Sequence, residues 1–150
     1  MDFKLENILN KLTKGYSELD KKIVNYFSDK ENGEFIKGYF SEILNGFSSE
    51  NNNTVFFKKI SNDKDIKTFS NVLINHIKSK SEKKNVKSSF NKINEIDYFI
   101  IRFDQNIMTS THYYFVYKNY TYLFDLRSLK ENYDNEIKHF KKIISKVTLS

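Results

Sequence analysis

Three successive stretches of the chain, residues 96–103, 109–117 and 120–126, are apolar at neighbouring positions, not merely at alternate ones. Tyr98, Phe99, Ile100 and Ile101 run together in the first, and Tyr113, Tyr114, Phe115, Val116 and Tyr117 in the second. Aromatic and β-branched residues in runs of this length read as strands, and successive side chains on a strand point to opposite faces. A register follows if Lys118-Asn119 is a two-residue turn. Tyr117 then faces Tyr120, Phe115 faces Tyr122 and Tyr113 faces Phe124, which gathers six rings on one side and leaves Tyr114, Val116 and Leu123 on the other. Leaving such rings in water costs about 1.5 kcal/mol or more each, so the sheet requires cover on both faces. We therefore expect three layers, with helices at 62–80 and 128–147 on one side and the amino-terminal segment or a partner on the other.

The amino-terminal segment has a different period. Leu5, Leu9, Leu12, Tyr16, Leu19, Ile23 and Tyr26 recur at spacings of four and three, the stripe of a long helix. After Glu31-Asn32-Gly33, a natural turn, Phe35, Ile36, Tyr39, Phe40, Ile43, Leu44 and Phe47 form the apolar face of a second helix ending near Gly46. Residues 1–47 thus read as a helical hairpin, and its first helix could also pair with a second copy of the chain as a homodimer. The polar run Ser48-Ser49-Glu50-Asn51-Asn52-Asn53 is the candidate linker to an α+β sheet domain at 54–150, the two packed as one unit. Charge changes across it: residues 1–50 hold seven lysines and nine acids, net −2, and residues 51–150 hold 18 basic and 10 acidic side chains, net +8.

Within the second part, 54–60 reads as a strand, and Asn62 or Asp63 caps a helix with Ile66, Phe69, Leu73, His76 and Ile77 on its face. Residues 86–92 alternate weakly. Ser128 and Glu131 have the spacing of a capping box before a helix that presents Tyr133, Ile137, Phe140, Ile144 and Val147. The fold class is therefore α+β, an amino-terminal helical hairpin plus an antiparallel β-sheet flanked by helices, sandwich-like in section. The order of these elements, with Val55-Phe56-Phe57-Lys58-Lys59-Ile60, the helix around Phe69 to Ile77, the strand Tyr120-Thr121-Tyr122-Leu123-Phe124-Asp125-Leu126 and the closing Phe140-Lys141-Lys142-Ile143-Ile144-Ser145, resembles the PsbP/Mog/DcrB group. That resemblance implies an antiparallel sheet flanked by helices and a non-catalytic role in binding or assembly. It implies no active-site residue, and the amino-terminal hairpin departs from the strands with which that group opens.

Chemistry is sparsely marked. The 150 residues include no cysteine, which excludes disulfides, thiolate metal sites and a thiol nucleophile. His76, His112 and His139 share no metal-ligand spacing, and no glycine-rich phosphate loop is present. In the register above His112 lies opposite Asp125, the best candidate for a base and its carboxylate, although no nucleophile or oxyanion motif accompanies it and a contact between strands explains it as well. Asp97, Asp104 and Asp125 come from the strand region, where Asp104 suits a turn. No catalytic, metal or cofactor-binding residue is assigned.

The net charge of +6 comes almost wholly from lysine, since Arg102 and Arg127 are the two arginines, and alanine is absent, a residue set typical of A/T-rich codons. A positive field still favours acidic partners. The expected function is therefore binding of another protein, as an accessory factor, adaptor or toxin-neutralising immunity protein. The alternative is a single-stranded nucleic-acid platform, and an enzyme of unknown class is the weakest reading. Candidate partner-binding residues are the rings Tyr113, Phe115, Tyr117, Tyr120 and Tyr122 and the cations Lys78, Lys80, Lys83, Lys84 and Lys87. No stretch approaches the ~20 apolar residues of a membrane span, and the first residues have neither a basic nor an apolar leader region, so a cytoplasmic location is expected.

Overall fold

The register set by Lys118-Asn119 holds along the whole hairpin, from Tyr117 opposite Tyr120 to Met108 opposite Leu129. Both turn residues are left-handed, with φ of 46° and 68°, as a two-residue turn of type I′ requires. The computed structural model describes residues 16–20, 22–25, 33–36, 39–49, 53–61 and 65–149. Its strands are β1 (Tyr16–Glu18), β2 (Gly33–Ile36), β3 (Tyr39–Ser49), β4 (Thr54–Ser61), β5 (Lys84–Ile93), β6 (Ile96–Gln105), β7 (Met108–Tyr117) and β8 (Tyr120–Leu129). They form one antiparallel sheet in the order β1-β3-β4-β8-β7-β6-β5, with β2 also paired to β3. Helix α1 (Ile66–Lys78) lies in the crossover from β4 to β5, and α2 (Tyr133–Ile144) follows β8.

Each face of the sheet has its own apolar core. On one, Phe69, Leu73 and Ile77 of α1 pack with Ile60, Phe99, Ile101, Phe103, Tyr114 and Leu123. On the other, Phe140, Ile143 and Ile144 of α2 pack with Phe57, Tyr98, Tyr113, Phe115, Tyr122 and Phe124. The two helices therefore lie on opposite sides, and the expectation of both on one side is corrected. The three layers remain, with one helix covering each apolar face. A ladder of rings fills the α2 side: Phe57 and Phe115 each stack on Tyr122 at 5.6 Å between centroids, and Tyr113 meets Phe140 at 5.5 Å.

The amino-terminal hairpin is the main correction. Residues 39–47, expected in a helix, and Ser48 and Ser49, expected in the linker, instead form β3 and pair with β4 from Phe40 opposite Ser61 to Ser48 opposite Thr54. A bulge between Ile43 and Asn45 explains the misreading. It adds one residue to the strand, so Tyr39 faces the α1 core while Leu44 and Phe47 join the α2 core, and apolar spacings of four and three arise without a helix. Gly46, expected near a helix end, instead lies against the Phe56 ring, where a Cβ would come within 2.9 Å of it and of Leu19 Cδ1. Tyr16–Glu18 are a strand, residues 19–20 are not helical and 22–25 form one helical turn, so the expected first helix is not continuous; the rest of it, and the dimer expected through it, lies outside the described residues.

Two caps also differ. Asp65 caps α1, its Oδ1 accepting from the Thr68 N–H at 2.8 Å, while Asn62 and Asp63 are outside the described residues. Ser128 is buried inside β8 and α2 begins only after a 3-10 turn at Lys130–Asn132, so the expected capping box does not form. No described helix is long and apolar enough to cross a membrane.

Lysine pays a steric penalty of about 1–2 kcal/mol at a left-handed position, whereas Asn-Gly suits both. The double variant Lys118→Asn/Asn119→Gly is accordingly expected to raise the unfolding free energy by about 1 kcal/mol in urea denaturation.

Candidate functional site

The register that pairs β7 with β8 places His112 directly opposite Asp125, and on the other side β4 brings Phe56 opposite the same carboxylate. Asp125 is fully buried on the α1 side of the sheet. Its Oδ2 lies 3.0 Å from Lys58 Nζ and 2.9 Å from an Arg127 guanidinium nitrogen, and its Oδ1 lies 3.1 Å from His112 Nε2. The Tyr114 hydroxyl is 2.9 Å from His112 Nδ1. The cationic side chains also touch rings: Arg127 lies over Phe56 at 5.3 Å, and Lys83 over Phe103 at 4.8 Å.

Burial alone would raise the Asp125 pKa, but Arg127, with His112 and Lys58, outweighs it and holds the carboxyl well below the usual carboxylate range. Burial lowers the His112 pKa despite the opposing pull of Asp125, so the ring is neutral at pH 7 and Arg127 and Lys58 are the charges that keep Asp125 ionised. Burial raises the Tyr114 pKa well above normal, which keeps its O–H. One tautomer satisfies all three groups: Nε2–H donates to Asp125 and Nδ1 accepts from Tyr114. Both ring nitrogens are then committed, and His112 offers no free lone pair to a substrate.

A cavity with room for a ligand lies elsewhere, on the α2 side. A groove of about 720 Å³ runs between α2 and the strands β5 to β7. Ile100, Arg102, Thr111 and Tyr113 form its floor. Tyr133, Ile137 and Lys141 of α2 form one wall, with Asp134 at its amino-terminal end, and Lys87, Ser89 and Asn91 of β5 form the other. The Arg102 guanidinium lies 4.1 Å over the Tyr133 ring, whose hydroxyl is 2.5 Å from Thr111 Oγ1. Among the described residues the side chains of Arg102, Lys87, Lys141 and Asp134 make no hydrogen bond or ion pair, although Asp104, two residues along β6, feels the Arg102 charge.

Of the ten candidate partner-binding residues, Tyr113 and Lys87 meet in this groove. Tyr113 is buried at its floor, with its pKa pushed up to about 12 mainly by that burial. Phe115 and Tyr122 are buried in the α2 core, while Tyr117 is half-buried and Tyr120 exposed at the far turn, where Lys59 lies 3.8 Å over the Tyr120 ring. Lys78, Lys80 and Lys84 are exposed around the end of α1 and the start of β5, and Lys83 is half-buried there. Asp104 accepts from Asn85 and Thr109 beside the β6–β7 turn, and Asp97 stands exposed 3.9 Å from Lys92, so neither joins Asp125. Among the described residues no three His, Asp or Glu side chains are placed to hold a metal. The reading from sequence missed Arg102, Tyr133 and Lys141; a charged residue within the apolar run 96–103 was the signal for the first.

No family model matches the sequence, and no curated protein matches it. Among solved structures, the chain superposes on the solution structure of cyanobacterial PsbP (CyanoP) from Synechocystis sp. PCC 6803 with a TM-score of 0.60, covering 91% of this chain and 83% of that one. The fold is PsbP-like. At 13% identity the likeness is one of fold alone, and no site residue is carried across. In this PsbP-like frame the groove and the ionic cluster lie on opposite faces of the sheet.

The ionic cluster makes stability depend on pH. The unfolded chain binds a proton at His112 near pH 6.5, before the folded chain does, so stability is full above that pH and falls as the pH drops toward the lower folded value. His76, lowered by burial and by Lys80 and Lys83, adds to the same slope. Urea denaturation between pH 7 and 5 is expected to show a shallower loss for His112→Gln than for the unaltered protein. Asp125→Asn leaves Lys58 and Arg127 facing a neutral amide and is expected to cost about 3 kcal/mol at pH 7, the low end for a broken buried pair because Arg127 is 30% exposed.

Proposed function

We propose that this protein is a non-catalytic binding factor, an accessory, adaptor or immunity-type protein, that takes hold of another protein through the groove between α2 and β5. The observation that carries this reading is the set of charged side chains in the groove that, among the described residues, make no hydrogen bond or ion pair, with Arg102 lying over a ring and the Asp104 carboxylate acting on it only through its charge. Lys87, Lys141 and Asp134 are exposed and solvated, so they cost little unpaired, and the half-buried Arg102 beside them is the residue type that anchors protein interfaces. The ionic cluster supports the same view from the other face, because its carboxylate and imidazole are saturated by their neighbours. The PsbP-like fold agrees with it, given the binding and assembly roles that the resemblance implies.

A single-stranded nucleic acid has less in its favour. Stacking needs exposed rings, and Tyr113, Phe115 and Tyr122 are 2%, 0% and 6% exposed.

The absence of cysteine makes the test direct. Ser89→Cys, on the groove wall, and Asn71→Cys, on the exposed side of α1, each accept one maleimide photocrosslinker. In lysate of the source cells, Ser89→Cys is expected to give a discrete protein adduct that Asn71→Cys does not. No adduct, or the same adducts from both positions, would count against the proposal.

A further inference from the structure

Resting on that reading of the groove, we infer that its occupant is an extended acidic segment of the partner protein, with one carboxylate held by Arg102 and an aliphatic neighbour against Ile100 and Ile137. The geometry of Arg102 comes first. Its guanidinium carbon lies 4.1 Å over the centre of the Tyr133 ring, and the Thr111 contact fixes that ring in turn. A ring contact uses none of the guanidinium N–H donors, and those donors are what bind a carboxylate in two parallel hydrogen bonds.

Charge selects the same ligand. Lys87 on one wall and Lys141 on the other flank Arg102, against Asp134 in the groove and Asp104 two residues along β6 from Arg102. Three cations against two acids leave a net positive groove that draws in a negatively charged group. Ile100 and Ile137 are half-buried within it, surface that an aliphatic side chain would cover and a sugar-phosphate chain would not. Asp134 also opposes a continuous row of phosphates. The groove is open along β5, the last strand of the sheet, where Ser89 and Asn91 are exposed and can bond to a peptide backbone. This favours an extended chain over a compact metabolite.

The experiment is selection of a phage-displayed random dodecapeptide library on the full chain, followed by binding of the selected peptides in solution. Enrichment of Asp or Glu beside Leu, Ile or Val is expected, with binding weakened by added salt. Arg102→Gln is expected to lower affinity about ten- to hundredfold. Arg102→Lys, which keeps the charge and loses the fork, should recover only part of it, and Lys87→Gln, an exposed position, should weaken it several-fold without touching the fold. Peptides with no acidic enrichment, or binding indifferent to Arg102→Gln and Lys87→Gln, would overturn the inference. So would a random single-stranded DNA pool that binds more tightly than any peptide and is released by the same substitutions. A partner crosslinked at Ser89→Cys together with non-acidic selected peptides would reject the ligand chemistry alone and leave the docking role of the groove standing.

Discussion

A sheet whose central strands are apolar on both faces cannot stand with one face in water. Here β6, β7 and β8 carry Tyr98, Tyr113, Phe115, Tyr122 and Phe124 on one side and Phe99, Ile101, Tyr114 and Leu123 on the other. Each side is a core in its own right, and each has its own helix. That division follows from chain order. The crossover from β4 to the far edge strand β5 must pass over one face, and it takes α1 with it. The chain leaving β8 is free to fold onto the other.

The same constraint explains why a fully buried carboxylate is tolerated. Removing Asp125 from water costs several kcal/mol, and the cost is offset only because three donors converge from three strands: Lys58 from β4, His112 from β7 and Arg127 from β8 itself. The partners are fixed by register, since a shift of one residue would send Asp125 to the opposite face, among the rings beneath α2. An ionic cluster placed this way adds little net energy but penalises every misregistered pairing of the central hairpins. The Phe56 ring beneath Arg127 is held by the same logic, because it covers Gly46 on one neighbouring strand while facing Asp125 on the other.

How much of this could be read from the sequence depended on how local the determining signal was. The β7–β8 register and the His112–Asp125 pairing were legible because a two-residue turn and a strict period of two leave one solution. The PsbP-like order of elements was legible from Thr54 onward for the same reason. The amino-terminal strands were not, because the bulge in β3 converts a period of two into spacings of four and three, and periodicity alone cannot separate that from a helix. The face taken by each helix was hidden as well, since an amphipathic helix states that it must bury a stripe and not against which side of a sheet. The groove was legible only in fragments. Lys87 and Tyr113 were singled out by type, but the residues that define the site are contributed at positions 87, 102, 133 and 141 and meet only when α2 is laid beside β5 and β6.

Why the open strip lies on the α2 side is itself a matter of dimensions. Strands are spaced about 4.8 Å apart, and a helix with its side chains is about 10 Å across, so one helix covers little more than two strands. On one face α1 touches β5 and β7, and the apolar residues there run out to Val86 at the edge. On the other face α2 lies against β8, and the strands it does not reach change character: β5 presents Lys87, Ser89 and Asn91 to that side. The amino acids therefore record where cover ends. Arg102 stands at that boundary, one position beyond Ile100 on the same face of β6, with its charged end carried over the last ring of the helix. A boundary between a covered core and an uncovered polar strand is where apolar floor and charge occur side by side, and the proposed docking rests on that combination and not on the saturated Asp125 cluster.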